Sequence, residues 1–345
     1  MAAARDDRAA NPQPAAQSLW PGLVSGLLGI FLLIAVETTF DHVGRAPAIQ
    51  YAPAIQPERG AFAVDGAVTL VPHPTVAAWQ TAFAEASYDL EAIRSRHVPV
   101  PRLRLAMLPR DLPLVTDVER RKTVFISLLL PLILEANARV AMERRRLRAA
   151  IGQKAAGREL PRDMIDWLDK LAKRYRSSAA ELEDLWLRVD TVPPSLVLAQ
   201  AAAESGWGTS RFAVEGNAIF GQWTTAGGKG LVPLARPEGQ TYKVRSFDRL
   251  IDSVNAYLLN LNTHRSYRAF RGLRAELRDR SGPTTSLMLA GKLGRYSEKG
   301  EDYVELLREI IRRNRLQTLD RASLGDTLIA PALSVGGKLS ADPPA

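Results

Sequence analysis

VPPSLVLAQAAAESGWG, residues 192–208, begins on two prolines, continues through about ten helix-forming residues and stops on Ser205-Gly206. Proline suits the first turn of a helix and glycine its C-terminal cap, so the stretch predicts a helix whose last turn carries Glu204. Three, four and seven residues back stand Ala201, Gln200 and Val197, a small and partly apolar face that leaves room for a ligand. A carboxyl held there is desolvated, which raises its pKa toward that of a useful general acid. The plain alternative is a glutamate solvated at a helix end.

Downstream, residues 210–250 are punctuated by glycine and hold two short apolar or alternating runs, the second being TYKVRSF at 241–247. They predict a small β-hairpin lobe. Asp248 is placed to cap a helix with Leu250, Val254, Tyr257, Leu258 and Leu261 on one face, and further helices are expected at about 283–293 and 301–314. Upstream, Asp117 to Arg148 reads as a long helix whose apolar centre, Val124 to Leu134, contains Pro131 and is too short to span a bilayer. Helical patterns continue over 161–176 and 179–189.

The 345 residues carry a formal charge of +9, no cysteine and four scattered histidines. Disulfides, thiolate nucleophiles and Cys-ligated metals are excluded, and the histidines show no metal-ligand spacing, so no cofactor or metal is expected. The charge favours an anionic partner, but no module that reads nucleic acid accompanies it. AAESGWG lacks the first glycine of a hydrolase nucleophile elbow, and AGGKG at 226–230 lacks the spacing of a phosphate loop.

LWPGLVSGLLGIFLLIAV, residues 19–36, is uncharged and just long enough to cross a bilayer. With Arg5 and Arg8 before it and no small-x-small site after it, it reads as an uncleaved, single-pass anchor in the cytoplasmic (inner) membrane with the bulk of the chain on the periplasmic or extracytoplasmic side. APAIQ at 46–50 recurs at 52–56 in a proline- and alanine-rich linker. The expected division is a cytoplasmic N-terminus (1–18), anchor (19–36), linker and region of unreadable function (37–114), helical support region (115–190), catalytic domain (191–316) and flexible tail (317–345).

The segments AAAESGWGTS (201–210), NAIFGQW (217–223), NLNTH (260–264) and YSEKG (296–300) carry a specific resemblance. The chain resembles the bacterial Bax-type glucosaminidase-domain proteins, related to glycoside hydrolase family 73, from about Asp117 to about Asn314. The resemblance implies a mainly α (α+β) fold, a lysozyme-like helical domain with a small β-hairpin lobe. It also implies cleavage of a β-1,4 bond in the glycan strands of peptidoglycan, with Glu204 as proton donor and Tyr296 beside it. Trp223, Phe220 and Trp207 are candidate sugar contacts, because aromatic rings stack on sugar faces and equally pack lobe junctions. Most glycosidases need a second carboxylate. Glu238, in the turn RPEGQ at 236–240, is preferred over Glu215, with assistance by the substrate's N-acetyl group or lytic transglycosylase chemistry as alternatives. A non-catalytic wall-binding or scaffold protein is the competing class.

Overall fold

The computed structural model describes residues 74–224, 228–234, 236, 239–278 and 285–331. The candidate anchor at 19–36, the APAIQ repeats and Glu238 lie outside these residues.

Two short helices open the described chain. Helix α1 (Val76–Glu85) is capped by the Thr75 hydroxyl, which accepts from Ala78 N, and helix α2 (Leu90–Arg96) by Asp89, which accepts from the amides of Glu91 and Ala92. Strand β1 (Val100–Leu103) follows, and then helix α3 (Val118–Ala155) begins on the Asp117 cap. Pro131 lies inside α3 and deprives the Ser127 carbonyl of its usual donor; the Tyr88 hydroxyl, 3.0 Å away, donates to that carbonyl instead. Among the described residues α3 is the helix long and apolar enough to cross a membrane, but 78% of its apolar window is buried, as in a core helix.

Helices α4 (Arg162–Arg174) and α5 (Leu182–Arg188) fold back on the end of α3 and bury a small cluster of Leu147, Leu168, Leu171, Tyr175 and Leu185. The main core forms around helix α6 (Pro194–Ser205), in which every residue from Pro194 to Ala202 is buried. A helix that is apolar all round needs neighbours all round. They are α3, helix α10 (Thr285–Ala290), helix α11 (Glu301–Arg313) and the 3₁₀ turn Leu316–Leu319.

The polar start of α6 is satisfied from a distance. Asn137 donates to the Val192 carbonyl at 2.8 Å and accepts from the Val192 amide at 3.1 Å, while Asp320 accepts from the amide and the hydroxyl of Ser195, both at 2.8 Å. Before them, buried Asp190 is gripped by Arg274 at 3.2 Å, by Arg144 at 3.6 Å and by Arg278. These contacts tie the lead-in of α6 to α3 and to helix α9 (Arg268–Leu277).

Helix α7 (Arg211–Gly216) leads into a three-stranded antiparallel sheet of strands β2 (Trp223–Thr224), β3 (Gly230–Leu231) and β4 (Lys243–Arg245), in the order β2-β4-β3. The expected hairpin lobe is thus a sheet with its last strand in the middle. Helix α8 (Leu250–Thr263) follows, with Arg249, not Asp248, at its N-cap; Asp248 instead pairs with Lys229.

Two segments outside the expected catalytic domain join the described fold. Residues 76–112 contribute Trp79, Phe83, Ile93 and Leu112 to the main core, and the segment from 317 does not start as a loose tail. Strand β5 (Leu324–Ile329) pairs in parallel with β1, Val100 opposite Leu324 and Leu103 opposite Ile329. Short apolar segments flanked by proline carried too little periodicity to reveal a partner more than 200 residues away.

Asn137→Ala leaves a buried amide and a buried carbonyl without partners, so the unfolding free energy should fall by about 2 kcal/mol in urea titration. Glu135→Ala, which breaks a surface pair with Arg139, should change it by less than about 0.5 kcal/mol.

Candidate functional site

The turn after α6 explains the Gly-Trp-Gly sequence. Gly206, Trp207 and Gly208 have φ of 58°, 58° and 79°, three successive residues in the left-handed region. Gly206 ends the helix in that conformation, and its amide donates to the Ala202 carbonyl. At Gly208 a Cβ would meet side-chain carbons of Leu112 and Phe125 at 2.9 Å, so only glycine fits. Trp207 bears the strain of a side chain at positive φ and is held there by packing: its ring meets Phe125 edge-on at 5.7 Å, and Lys122 lies over it. Ser205 stitches the turn from inside, its hydroxyl donating to the Ala201 carbonyl and accepting from the Gly208 amide at 2.9 Å.

Glu204 is therefore fixed on the last turn of a rigid, buried helix. Its Oε1 accepts a 2.7 Å hydrogen bond from the Tyr303 hydroxyl of α11. Gly221, with φ of 59°, passes its other side: a Cβ at Gly221 would stand 3.7 Å from Oε2. Burial pushes the Glu204 carboxyl up to about 7, against a smaller downward pull from the Tyr303 hydrogen bond. Tyr257, Tyr267, Tyr296 and Tyr303 surround it, and its charge pushes each of these phenols upward in addition to the larger effect of burial. A carboxyl that is half protonated near neutral pH beside neutral phenols can hand a proton to a leaving group and take one back from water.

The structure sorts the expected residues. The face of Val197, Gln200 and Ala201 is not open to a ligand; all three are fully buried, because α6 is covered on every side. Tyr296 is near the carboxyl, as the electrostatics show, but its hydroxyl donates to the Phe220 carbonyl at 3.0 Å and its ring stacks on Tyr303 at 5.7 Å. Phe220 is 2% exposed and stacked on Tyr257 at 4.0 Å, so it offers no free face to a sugar. Trp207 likewise serves the turn, with its ring taken by Phe125 and Lys122. Trp223, 41% exposed and edge-on to Tyr242, keeps an accessible ring. Glu215 is exposed and pairs with Arg211 at 3.4 Å.

Tyr303 and Gln200 are the residues that sequence reasoning missed. Tyr303 shares a buried face of α11 with Val304, Leu307 and Ile311, and a tyrosine on such a face needs a partner for its hydroxyl. That signal was readable; the identity of the partner, 99 residues earlier, was not. Two cavities of about 340 Å³, one lined by Leu160, Ile165 and Leu168 and the other by Phe83, Tyr88 and Arg94, lie away from Glu204. Among the described residues no group of three or more His, Cys, Asp or Glu is placed to hold a metal ion.

Residues 180–316 match the glucosaminidase family model, described as mannosyl-glycoprotein endo-beta-N-acetylglucosaminidase. The chain is also 35% identical over 189 residues to protein Bax of Escherichia coli strain K12, a match covering 53% of this chain and 66% of that relative, just under two thirds of its length. No solved structure gives a significant match. The family match takes in α6, the small sheet, α8 and α11, and hence Glu204, Gln200, Gly221 and Tyr303.

A carboxyl raised from 4.5 to about 7 adds stability that is fully present below pH 4.5 and is lost as pH rises through 7. Glu204→Gln, neutral at every pH, should therefore match the parent near pH 4 and exceed it near pH 8. The expected gain is about 1–3 kcal/mol in denaturant titrations, limited because the carboxyl is not wholly removed from solvent.

Proposed function

Because the chain is a Bax-type glucosaminidase-domain protein, we propose that it cleaves the β-1,4 glycan backbone of peptidoglycan as an endo-β-N-acetylglucosaminidase, with Glu204 as general acid. The observation that carries this reading is the Glu204 carboxyl itself: held on a buried helix, bonded by Tyr303 and raised to about 7 by burial. A glycosidic oxygen leaves only when protonated, and an acid of that strength still holds a proton near neutral pH.

A helix-end glutamate next to a small antiparallel sheet supports a lysozyme-like arrangement, with the glycan running between the helices and the sheet. Exposed Trp223 on β2 is the ring best placed to stack on a sugar face. Among the described residues no second carboxylate contributes to the Glu204 environment. Departure of the leaving group is then assisted by Glu238, by the substrate's own N-acetyl group, or by its C6 hydroxyl, which yields an anhydro sugar. The uncharged run at 19–36 supports a single-pass anchor that holds the domain on the outer side of the cytoplasmic membrane, where its substrate lies. The net charge of +9 suits retention on anionic wall polymers.

The test is mass spectrometry of purified peptidoglycan incubated with the chain from residue 37 onward and with its Glu204→Gln variant. New glycan fragments should appear with the former, decline as pH rises through about 7 as Glu204 ionises, and fall at least about 100-fold with the variant. Their terminal sugar identifies the bond, and an anhydro end identifies the transglycosylase route. Tight wall binding without fragments at any pH from 4 to 8 would replace the enzyme with a scaffold.

A further inference from the structure

Behind Glu204 runs a chain of hydrogen bonds with a defined direction. The Tyr257 hydroxyl of α8 donates to Gln200 Oε1, Gln200 Nε2 donates to the Tyr303 hydroxyl oxygen at 2.9 Å, and the Tyr303 hydroxyl donates to Glu204 Oε1 at 2.7 Å. All four groups come from three elements of the core, α6, α8 and α11. Gln200, Tyr257 and Tyr303 are fully buried, so water does not compete for these bonds.

A primary amide has one acceptor oxygen and a donor NH₂, and a phenol has a single proton. Once Tyr257 occupies the amide oxygen, the amide can meet Tyr303 only as a donor. Tyr303, already accepting, then has one place to direct its proton, and that place is Glu204 Oε1. An oxygen that receives this bond is a poor site for the carboxyl proton, which is left to Oε2. No donor among the described residues is bonded to Oε2, and the missing side chain of Gly221 keeps that side open.

We infer that Tyr257, Gln200 and Tyr303 form a positioning relay that confines the transferable proton of Glu204 to Oε2, the oxygen beside Gly221. The inference rests on the reading of Glu204 as the general acid. None of the three need touch the substrate: each acts through the next. With the relay reversed, Tyr303 would accept from Oε1, and the proton would point into the core, where no leaving group can reach it.

The titratable groups that face Glu204 from the packed elements are phenols, namely Tyr257 of α8, Tyr267 of the 3₁₀ turn Arg265–Tyr267, Tyr296 of the 3₁₀ turn Gly294–Tyr296 and Tyr303 of α11. All are neutral in the working range, so a change in the Glu204 titration reports hydrogen bonding and burial, not a neighbour's charge. Loss of the Tyr303 bond removes stabilisation of the carboxylate and raises the titration midpoint.

The experiment follows the Glu204 carboxyl by ¹³C NMR, assigned with Glu204→Gln, in the parent, Tyr303→Phe, Tyr257→Phe and Gln200→Leu, alongside kcat and KM on peptidoglycan. Tyr303→Phe should raise the midpoint by about half a unit or more. It should lower kcat about 10- to 100-fold with KM nearly unchanged. Tyr257→Phe, whose hydroxyl does not touch Glu204, should shift the midpoint the same way by less, because the freed amide can turn its oxygen toward Tyr303. Gln200→Leu should fall between the two, and thermal melts confirm that each variant is folded. An unmoved midpoint in Tyr303→Phe overturns the inference, and an unmoved midpoint in both Tyr257→Phe and Gln200→Leu reduces the relay to a single bond. The titration needs no turnover, so it decides the relay separately from the reading of the chain as an enzyme: that reading fails if glycan cleavage is absent from the parent or survives in Glu204→Gln.

Discussion

Everything in the domain answers to one constraint: helix α6 is buried on all sides along nine consecutive residues. Such a helix cannot rely on solvent for its unpaired end groups, so partners must come from elsewhere in the chain. Asn137 on α3 and Asp320 near the C-terminal end of the described chain serve the start of the helix. At the other end three left-handed residues turn the chain sharply, and the last turn presents a carboxyl to a ring of phenols. Rigidity and desolvation of Glu204 are thus two aspects of the same packing.

That packing also sets the chemistry. Burial alone would drive the carboxyl high enough to leave it a weak acid, and hydrogen bonding alone would leave it ionised. The Tyr303 bond opposes the larger effect of burial, and the balance falls near neutrality. A destabilised carboxylate has a cost in folding free energy that the rest of the core offsets. The dense apolar layers of α3, α10 and α11 supply that margin.

Much of this was legible in the sequence, where local chemistry governs. The prolines before α6, the glycine after it and the position of Glu204 could be read from residues 192–208, and Asp117 was a readable start for α3. Sequence patterns failed where the partner is remote. Asp248 has the chemistry of a cap, yet Lys229 claims it; the β lobe looked like a hairpin, yet β4 inserts between β2 and β3. Phe220 has the right residue type to stack on sugar, but only the tertiary structure shows Tyr257 against its face. Gln200, a lone amide in an alanine-rich helix, hinted at a buried network without showing which hydroxyls complete it.

The parallel pairing of β1 with β5 has a consequence for the order of folding. Strand β5 follows every element of the candidate site, Asp320 sits just before it, and both bind segments made far earlier, with Val100 opposite Leu324 and Ser195 bonded to Asp320. Contacts of such long sequence separation form late and slowly, because the intervening chain must first be brought together. A chain emerging from its N-terminus therefore has α6 with an uncapped first turn and β1 with a bare edge until residues 320–329 have appeared. Synthesis must run past the last residue of the site before the helix beneath Glu204 is secured, which makes the C-terminal strand a clasp that closes last.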